Sequence, residues 1–326
     1  MSTLVVPVGD PAGIGPEVSV AASLRFIDAH SIVLVGSAEQ LVPMCPPETV
    51  VGGFEDARPG RLVVVDMGSV SRATRSLARA SAEAGESALR ALDAATERVM
   101  RDPKAVLVTG PVSKEAIVLS GVPFTGQTEF VAQKAGLRPD DVSMLFLGPR
   151  LNTALATTHL GVRELSAAVT HARVERAIRH LSGALRRLGI ASPHVLVTGL
   201  NPHAGEGGLF GTEDLDVIAP AVASARASEN AHGLSLRVEG PLPAEAAYRA
   251  AADKRCDGVV AMFHDQATIA SKLLDWGHAV NVTWGLPFVR TSVDHGVAYD
   301  IAGKGIASAE GMIAAMELAT RFGAQR

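Results

Sequence analysis

Short apolar runs, glycine-rich turns and longer stretches of spaced apolar residues alternate along this chain. The first run, LVVPVG from Leu4, reads as a buried strand. It enters GDPAGIGPE at residues 9–17 and then an apolar-periodic helix that ends near His30. IVLVG at 32–36 and a shorter run at 62–65 repeat the strand signal. Alanine-rich text with spaced apolar positions predicts a helix from about Ser76 to Met100. KAVLVTGP at 104–111 is strand then turn, and VSMLFLG and LNTALATTH read as neighbouring strands to which antiparallel pairing is open. Helices are expected over roughly 170–188 and 213–228, with a strand at 194–198 and a glycine-rich loop at 199–211 between them. VVAMF at 259–263 and VNVTW at 280–284 are further strands, and the chain closes with a helix from about Ala309 to Phe322.

Strands alternating with helices predict an α/β fold with a mostly parallel sheet covered on both faces. The chain has 326 residues, comfortable for two cores. The prolines at 46–47 and the stretch GFEDARPG at 53–60 read as surface loops, not as a linker. The expected division is discontinuous: residues 1–130 plus 281–326 form one α/β domain, and 131–280 form the second.

Composition narrows the partners. Hydrophobic residues make up 47% and glycine 32 positions, which suits a globular chain with many tight connections. With 4% aromatic residues and a formal net charge of -4, neither stacking platforms nor a basic stripe offers itself to nucleic acid. A small anionic substrate needs only a few local positive groups and stays open. Cys45 and Cys256 cannot build a disulfide framework, so a reducing cytoplasm is the simplest setting. No signal-peptide pattern opens the sequence, and no uncharged apolar run is long enough for a membrane span.

Three of the ten histidines share one context. His159 ends ALATTH, His203 lies just past the strand HVLVTG, and His264 ends VVAMFH. Active sites of open α/β sheets lie beyond the carboxyl ends of strands, so each is expected at the functional edge. Three neutral imidazoles can hold one divalent ion with room for substrate oxygens. The alternative for each is a hydrogen-bonded loop histidine, the reading that suits His171, His180 and His194, while His30 and His232 read as surface positions. GDPAGIGPE could receive an anion on exposed amides, or could be a strand-to-helix turn with Pro16 set for the first helical turn. TGPVSK at 109–114 has the same two readings. Lys272, Asn281 and Arg290 form a second cluster suited to a carboxylate or phosphate, against the alternative of solvent-facing charge.

The stretches GDPAGIGPE, TGPVSK, GQTEF, ATTH, NPHAGEGG, HDQ and NVTWGLPFVRTSVDHG followed by DIAGKG, in this order over nearly the whole chain, resemble the family of 4-hydroxythreonine-4-phosphate dehydrogenases. The resemblance implies a fold like isocitrate and isopropylmalate dehydrogenases, two α/β domains with a cleft between them, the first on the cofactor side and the second carrying the metal histidines and dimer contacts. It implies a cytoplasmic homodimer whose active site is shared between subunits, with metal ligands at His159, His203 and His264 drawn from both. One divalent ion (zinc, magnesium, cobalt or manganese) and NAD or NADP would serve as cofactors. Substrate contacts would fall on Gln127, Thr128, Lys272, Asn281 and Arg290, with Lys272 as candidate proton carrier. By likeness to isopropylmalate dehydrogenases, His295 and Asp300 would approach the adenosine part of the dinucleotide. The implied reaction oxidises and decarboxylates 4-phosphohydroxy-L-threonine, a step of pyridoxal phosphate (pyridoxine) biosynthesis.

Two positions depart from the family pattern. Its GHTEF reads GQTEF here, and its TGPVHK reads TGPVSK, so Gln127 and Ser113 stand where histidines are usual. Glutamine donates a hydrogen bond but cannot carry charge. Both changes therefore bring in two further substrates, a phosphorylated four-carbon sugar acid and an aromatic cis-dihydrodiol carboxylate. A small-molecule binding protein without turnover is the non-enzymatic alternative.

Overall fold

The computed structural model describes residues 2–324 and divides into two compact units. One is the chain up to Pro139 together with the segment from Leu286 onward; the other is Asp140–Gly285, inserted between them. The junctions fall in the turns that follow Arg138 and Trp284, not at residues 130 and 280, because helix residues to Lys134 and the strand to Trp284 complete elements that start earlier.

The discontinuous unit runs β1 (Thr3–Pro7), α1 (Gly15–Ser23), β2 (Ser31–Gly36), α2 (Ala38–Leu41), β3 (Val50–Val51), β4 (Leu62–Asp66), α3 (Arg72–Arg75), α4 (Ala82–Arg101), β5 (Ala105–Thr109), α5 (Lys114–Leu119) and α6 (Gln127–Lys134). Its six strands lie in the order β3-β4-β2-β1-β5-β12, all parallel, β12 being Arg290–Ser292. α12 (Glu310–Gly323) ends the chain. Val5, Val33, Val63 and Leu107 meet Ala91, Leu92, Ala95 and Val99 of α4 in one core, the spacing expected of a helical apolar face. α4 begins at Ala82, not Ser76. Ser71 caps the separate turn α3, and the Glu83 carboxylate accepts from the Ser71 amide at 2.6 Å, while Ser81 caps α4 at the Ala84 amide. α1 is likewise shorter than its apolar pattern suggested, and tight turns fill the distance to His30.

The inserted unit contains β6 (Ser143–Leu147), β7 (Asn152–Leu155), α7 (Leu165–Ala168), α8 (His171–Arg187), β8 (His194–Thr198), α9 (Ala219–Ala231), β9 (Arg237–Leu242), α10 (Ala244–Ala252), β10 (Gly258–Ala261), α11 (His264–Leu274) and β11 (Val280–Trp284). Its order is β11-β6-β7-β10-β8-β9. β6 pairs antiparallel with β7 and β11, whereas β7, β10, β8 and β9 are mutually parallel. The amphipathic α8 buries Val174, Ile178, Leu181 and Leu185, and Thr170 caps it at the Arg173 amide. No helix among the described residues is long and apolar enough to cross a membrane.

Candidate active site

His159, His203, His264, Lys272 and Asn281 belong to the inserted unit, and Gln127, Thr128, Arg290, His295 and Asp300 to the discontinuous one. In the inserted unit, β7 and β10 are parallel neighbours whose pairing continues past their ends: Ala156 N donates to Ala261 O at 2.8 Å and the Thr157 hydroxyl to Met262 O at 2.6 Å. Two chains leaving a sheet side by side carry their next side chains out together, since neighbouring strands lie about 4.8 Å apart. The His159 and His264 rings accordingly stand 5.2 Å apart, centroid to centroid. His264 opens α11, and its Nδ1–H donates to Asp265 Oδ1 at 2.7 Å. A carboxylate there fixes the tautomer and leaves Nε2 as the ring's lone-pair donor.

Gln266, overlooked by the sequence reading although it stands in HDQ, fastens this edge. Its Oε1 accepts from Met262 N and the Thr198 hydroxyl, both at 2.7 Å, and its Nε2 donates to Gly199 O at 2.9 Å. One amide therefore ties the end of β10 to the end of β8.

The glycine-rich stretch after β8 is not an irregular loop. His203, Ala204, Gly205, Glu206, Gly207 and Gly208 all have positive φ, a left-handed helical turn. Left-handed backbone costs roughly 1–2 kcal/mol per non-glycine residue, so His203, Ala204 and Glu206 together store roughly 3–6 kcal/mol. His203 is exposed on this turn, its ring 6.4 Å from that of Phe210. Among the described residues no three histidine, cysteine or carboxylate side chains converge on one point. Two imidazoles do, and their donor chemistry suits a divalent ion such as zinc.

Lys272 lies exposed in the last turn of α11. Asn281 sits on β11 opposite Phe146, half-buried, with its Oδ1 buried and lacking a hydrogen-bond donor.

In the discontinuous unit Arg290 is 2% exposed. Its Nη2 donates to Thr109 Oγ1 at 2.8 Å and its Nη1 to Thr128 Oγ1 at 3.4 Å. Burial pushes the guanidinium down to about 10, with Glu129 opposing the shift, so it stays a fixed cation at neutral pH. Gln127 opens α6 and donates from Nε2 to Gly110 O at 3.1 Å, while its Oε1 is buried without a donor. Gly110 O can only accept, which settles which end of the amide is nitrogen.

The anion-receiving reading of GDPAGIGPE fails. Residues 9–14 are buried, and the amides of Asp10, Ala12, Gly13 and Ile14 bond to Pro111 O, Asp10 Oδ1, Asp10 O and Val297 O. Gly9, at φ +87°, is required because a Cβ would collide with the Pro111 carbonyl oxygen. Ser113 faces inward as well: it caps α5 at the Ala116 amide and hydrogen-bonds Tyr299, whose hydroxyl donates to the fully buried Asp10 at 2.7 Å. Burial raises the Asp10 pKa, against the lowering effect of that hydroxyl and the Ala12 amide. This latch anchors the segment carrying His295 and Asp300. His295 Nδ1 donates to Gly296 O at 3.0 Å, its Nε2 is buried without a partner, and Asp300 is exposed.

His171, His180 and His194 are hydrogen-bonded as expected, to Ser224, Ser143 and Glu239, but on helices and a strand, not in loops.

Two α/β units with imidazoles at strand ends have the fold of isocitrate dehydrogenase; the Methylococcus capsulatus enzyme superposes with TM-score 0.53 over 99% of this chain and 88% of its own, at 16% identity. The sequence profile of "Pyridoxal phosphate biosynthetic protein PdxA" matches residues 23–319. A 4-hydroxythreonine-4-phosphate dehydrogenase from Enterobacter sp. is 38% identical over 98% of this chain and 97% of its own. A D-threonate 4-phosphate dehydrogenase from Salmonella typhimurium is 36% identical over 98% of each. The crystal structure of 4-hydroxythreonine-4-phosphate dehydrogenase from Klebsiella pneumoniae aligns with TM-score 0.81 and 35% identity, covering 99% of this chain and 100% of that one. The chain belongs to the PdxA family of pyridoxal phosphate biosynthetic proteins, and it is an enzyme, an oxidoreductase of that family.

Proposed function

We propose that this protein is a 4-hydroxythreonine-4-phosphate dehydrogenase, using NAD or NADP and one divalent ion to oxidise 4-phosphohydroxy-L-threonine and release carbon dioxide. The observation that carries this reading is the His159–His264 pair at 5.2 Å, with His264 oriented by Asp265. When bound, the ion would supply Lewis acidity at the reacting alcohol oxygen, and the nicotinamide would accept the hydride. His159, His203 and His264 hold the ion. Arg290, kept charged and aimed by Thr109 and Thr128, binds the substrate's anionic end. Lys272 carries the proton. Asn281 Oδ1 and Gln127 Oε1 are acceptors awaiting donors, and the ammonium or hydroxyl groups of the substrate supply them. His295 and Asp300 would approach the adenosine part of the dinucleotide.

The ligand set is divided between two copies of the chain in a homodimer. Two histidines meet while no third described ligand joins them. In the same unit, Ile269, Leu273 and Trp276, at and just beyond the outer face of α11, are 61%, 79% and 77% exposed, an apolar surface for a second copy to cover.

Purified protein with divalent metal and dinucleotide, assayed for reduced nicotinamide, is expected to turn over 4-phosphohydroxy-L-threonine in a metal-dependent way. Absence of turnover on this compound, on D-threonate 4-phosphate and on aromatic dihydrodiol carboxylates would overturn the reading. A second substrate, a phosphorylated four-carbon sugar acid, is favoured by the likeness to a D-threonate 4-phosphate dehydrogenase. The ratio of kcat/KM on the two phosphates decides between them.

A further inference from the structure

We infer that Asp214 is a positioning residue that sets the left-handed turn, and through it His203, in the geometry that binds metal; this rests on the reading of His203 as a ligand. Asp214 is fully buried and begins a π-helical turn, Asp214–Ile218, that leads into α9. π turns of this kind cluster where a site must aim a side chain. Its Oδ1 accepts from Leu200 N at 2.9 Å, and its Oδ2 accepts from Asn201 N at 3.2 Å and Asn201 Nδ2 at 2.9 Å. The Asn201 amide also donates to Glu213 Oε2 at 2.8 Å, and Glu213 in turn accepts from the Ser166 hydroxyl at 2.6 Å. These bonds fix the residues immediately before Pro202–His203.

The sequence makes room for this carboxylate. A Cβ on Gly199 would lie 2.6 Å from Asp214 Oδ1 and 2.8 Å from Ala204 Cα, and one on Gly205 would lie 3.3 Å from Asp214 Oδ2. A Cβ on Gly211 would sit 2.8 Å from Asn201 Nδ2. Three glycines thus enclose one carboxylate and one amide, so the turn folds around Asp214. Six consecutive residues in left-handed backbone have no preference of their own for that conformation. The carboxylate bonds at the turn's entrance hold it there.

The test is titration of metal-free, full-length protein with Zn²⁺ alone, read by competition with a chromophoric chelator. Asp214→Asn keeps the shape but turns an amide N–H toward donors; its Zn²⁺ Kd is expected to rise 10- to 100-fold, the usual effect of losing a group that orients a metal ligand. Asp216→Asn, on the exposed side of the same turn, is expected to match the parent. His203→Ala tests the underlying reading: parental affinity in that variant means His203 is not a ligand. If His203→Ala weakens binding and folded Asp214→Asn does not, the positioning role falls while the ligand assignment stands. Should Asp214→Asn fail to fold, Asn201→Ser removes only the side-chain bonds to Asp214 and Glu213 and is expected to raise the Kd several-fold. An unchanged Kd there overturns the inference.

Discussion

Replacing Arg290 with methionine separates the two roles a buried guanidinium can play. If the charge serves substrate binding, its loss strands the anionic end of the substrate. Truncating one partner of a buried charge pair costs about 2–5 kcal/mol, a factor of roughly 30 to several thousand in kcat/KM. The folded protein fares differently. Methionine removes the desolvation penalty that pushes this group down to about 10, and such exchanges gain about 1–4 kcal/mol. Against this, the Thr109 and Thr128 hydroxyls, 0% and 8% exposed, lose their donor, at about 1–3 kcal/mol each unless they rotate to another partner. At the middle of these ranges the terms cancel to within about 2 kcal/mol, a Tm change of about 4 °C for a chain of this size. Steady-state reduction of the dinucleotide and thermal unfolding followed by circular dichroism measure the two sides. Arg290→Lys keeps the charge without the planar fork and is expected to fall between parent and methionine in kcat/KM. A Tm loss above about 10 °C in parallel with activity, or a kcat/KM within about threefold of parent, would refute the assignment.

Three further outcomes are expected. His159→Ala and His264→Ala each lose tightly held metal and most activity, and unchanged metal stoichiometry by elemental analysis would contradict the ligand pair. Burial lowers His180 from 6.5 to about 4, so the folded chain cannot take up the proton that the unfolded chain binds below pH 6.5. Stability is therefore complete above pH 6.5 and falls by up to about 3 kcal/mol as pH drops to 4; urea melts of His180→Gln should lack that slope. Leu273→Glu combined with Trp276→Glu should dissociate the proposed dimer at micromolar concentration, and sedimentation showing an unchanged dimer would remove the exposed α11 face from the interface.

The parts of this molecule that bury apolar side chains at regular intervals were legible in its sequence. β1, β2, β5, β8 and β10 are continuous Val-, Leu- and Ala-rich runs, and α8 shows its buried stripe at helical spacing. β9 was missed because RVEGPL is an edge strand interrupted by glycine and proline, and β12 because three residues, RTS, carry no period. α6 went unseen because its start, GQTEF, reads as a polar turn, and α10 because nine residues of alanine-rich text suit a loop edge as well as a helix. Within the site, the strand-end positions of His159 and His264 were readable, since adjacent parallel strands deliver their next residues together. Asp214 and Gln266 were not, because their work is to accept and donate bonds at remote strand ends and turns. Of the two readings of GDPAGIGPE, the strand-to-helix turn is the one the structure has, since other parts of the chain use its amides.

The return of the chain to its first unit has a consequence for synthesis. β12 pairs with β5, Arg290 opposite Leu107, and Leu107 N donates to Val289 O at 2.9 Å. On a ribosome, all of Asp140–Gly285 emerges before that partner exists. Until then β5 keeps an open edge, and Thr109 and Thr128 have no guanidinium to hold. The inserted unit can finish folding while the chain still grows, but the cluster of Thr109, Thr128 and Arg290 proposed to hold an anion forms only when the last segment arrives. A nascent or truncated chain ending before residue 290 therefore contains all three histidines proposed to bind metal and none of the buried positive charge proposed to bind substrate.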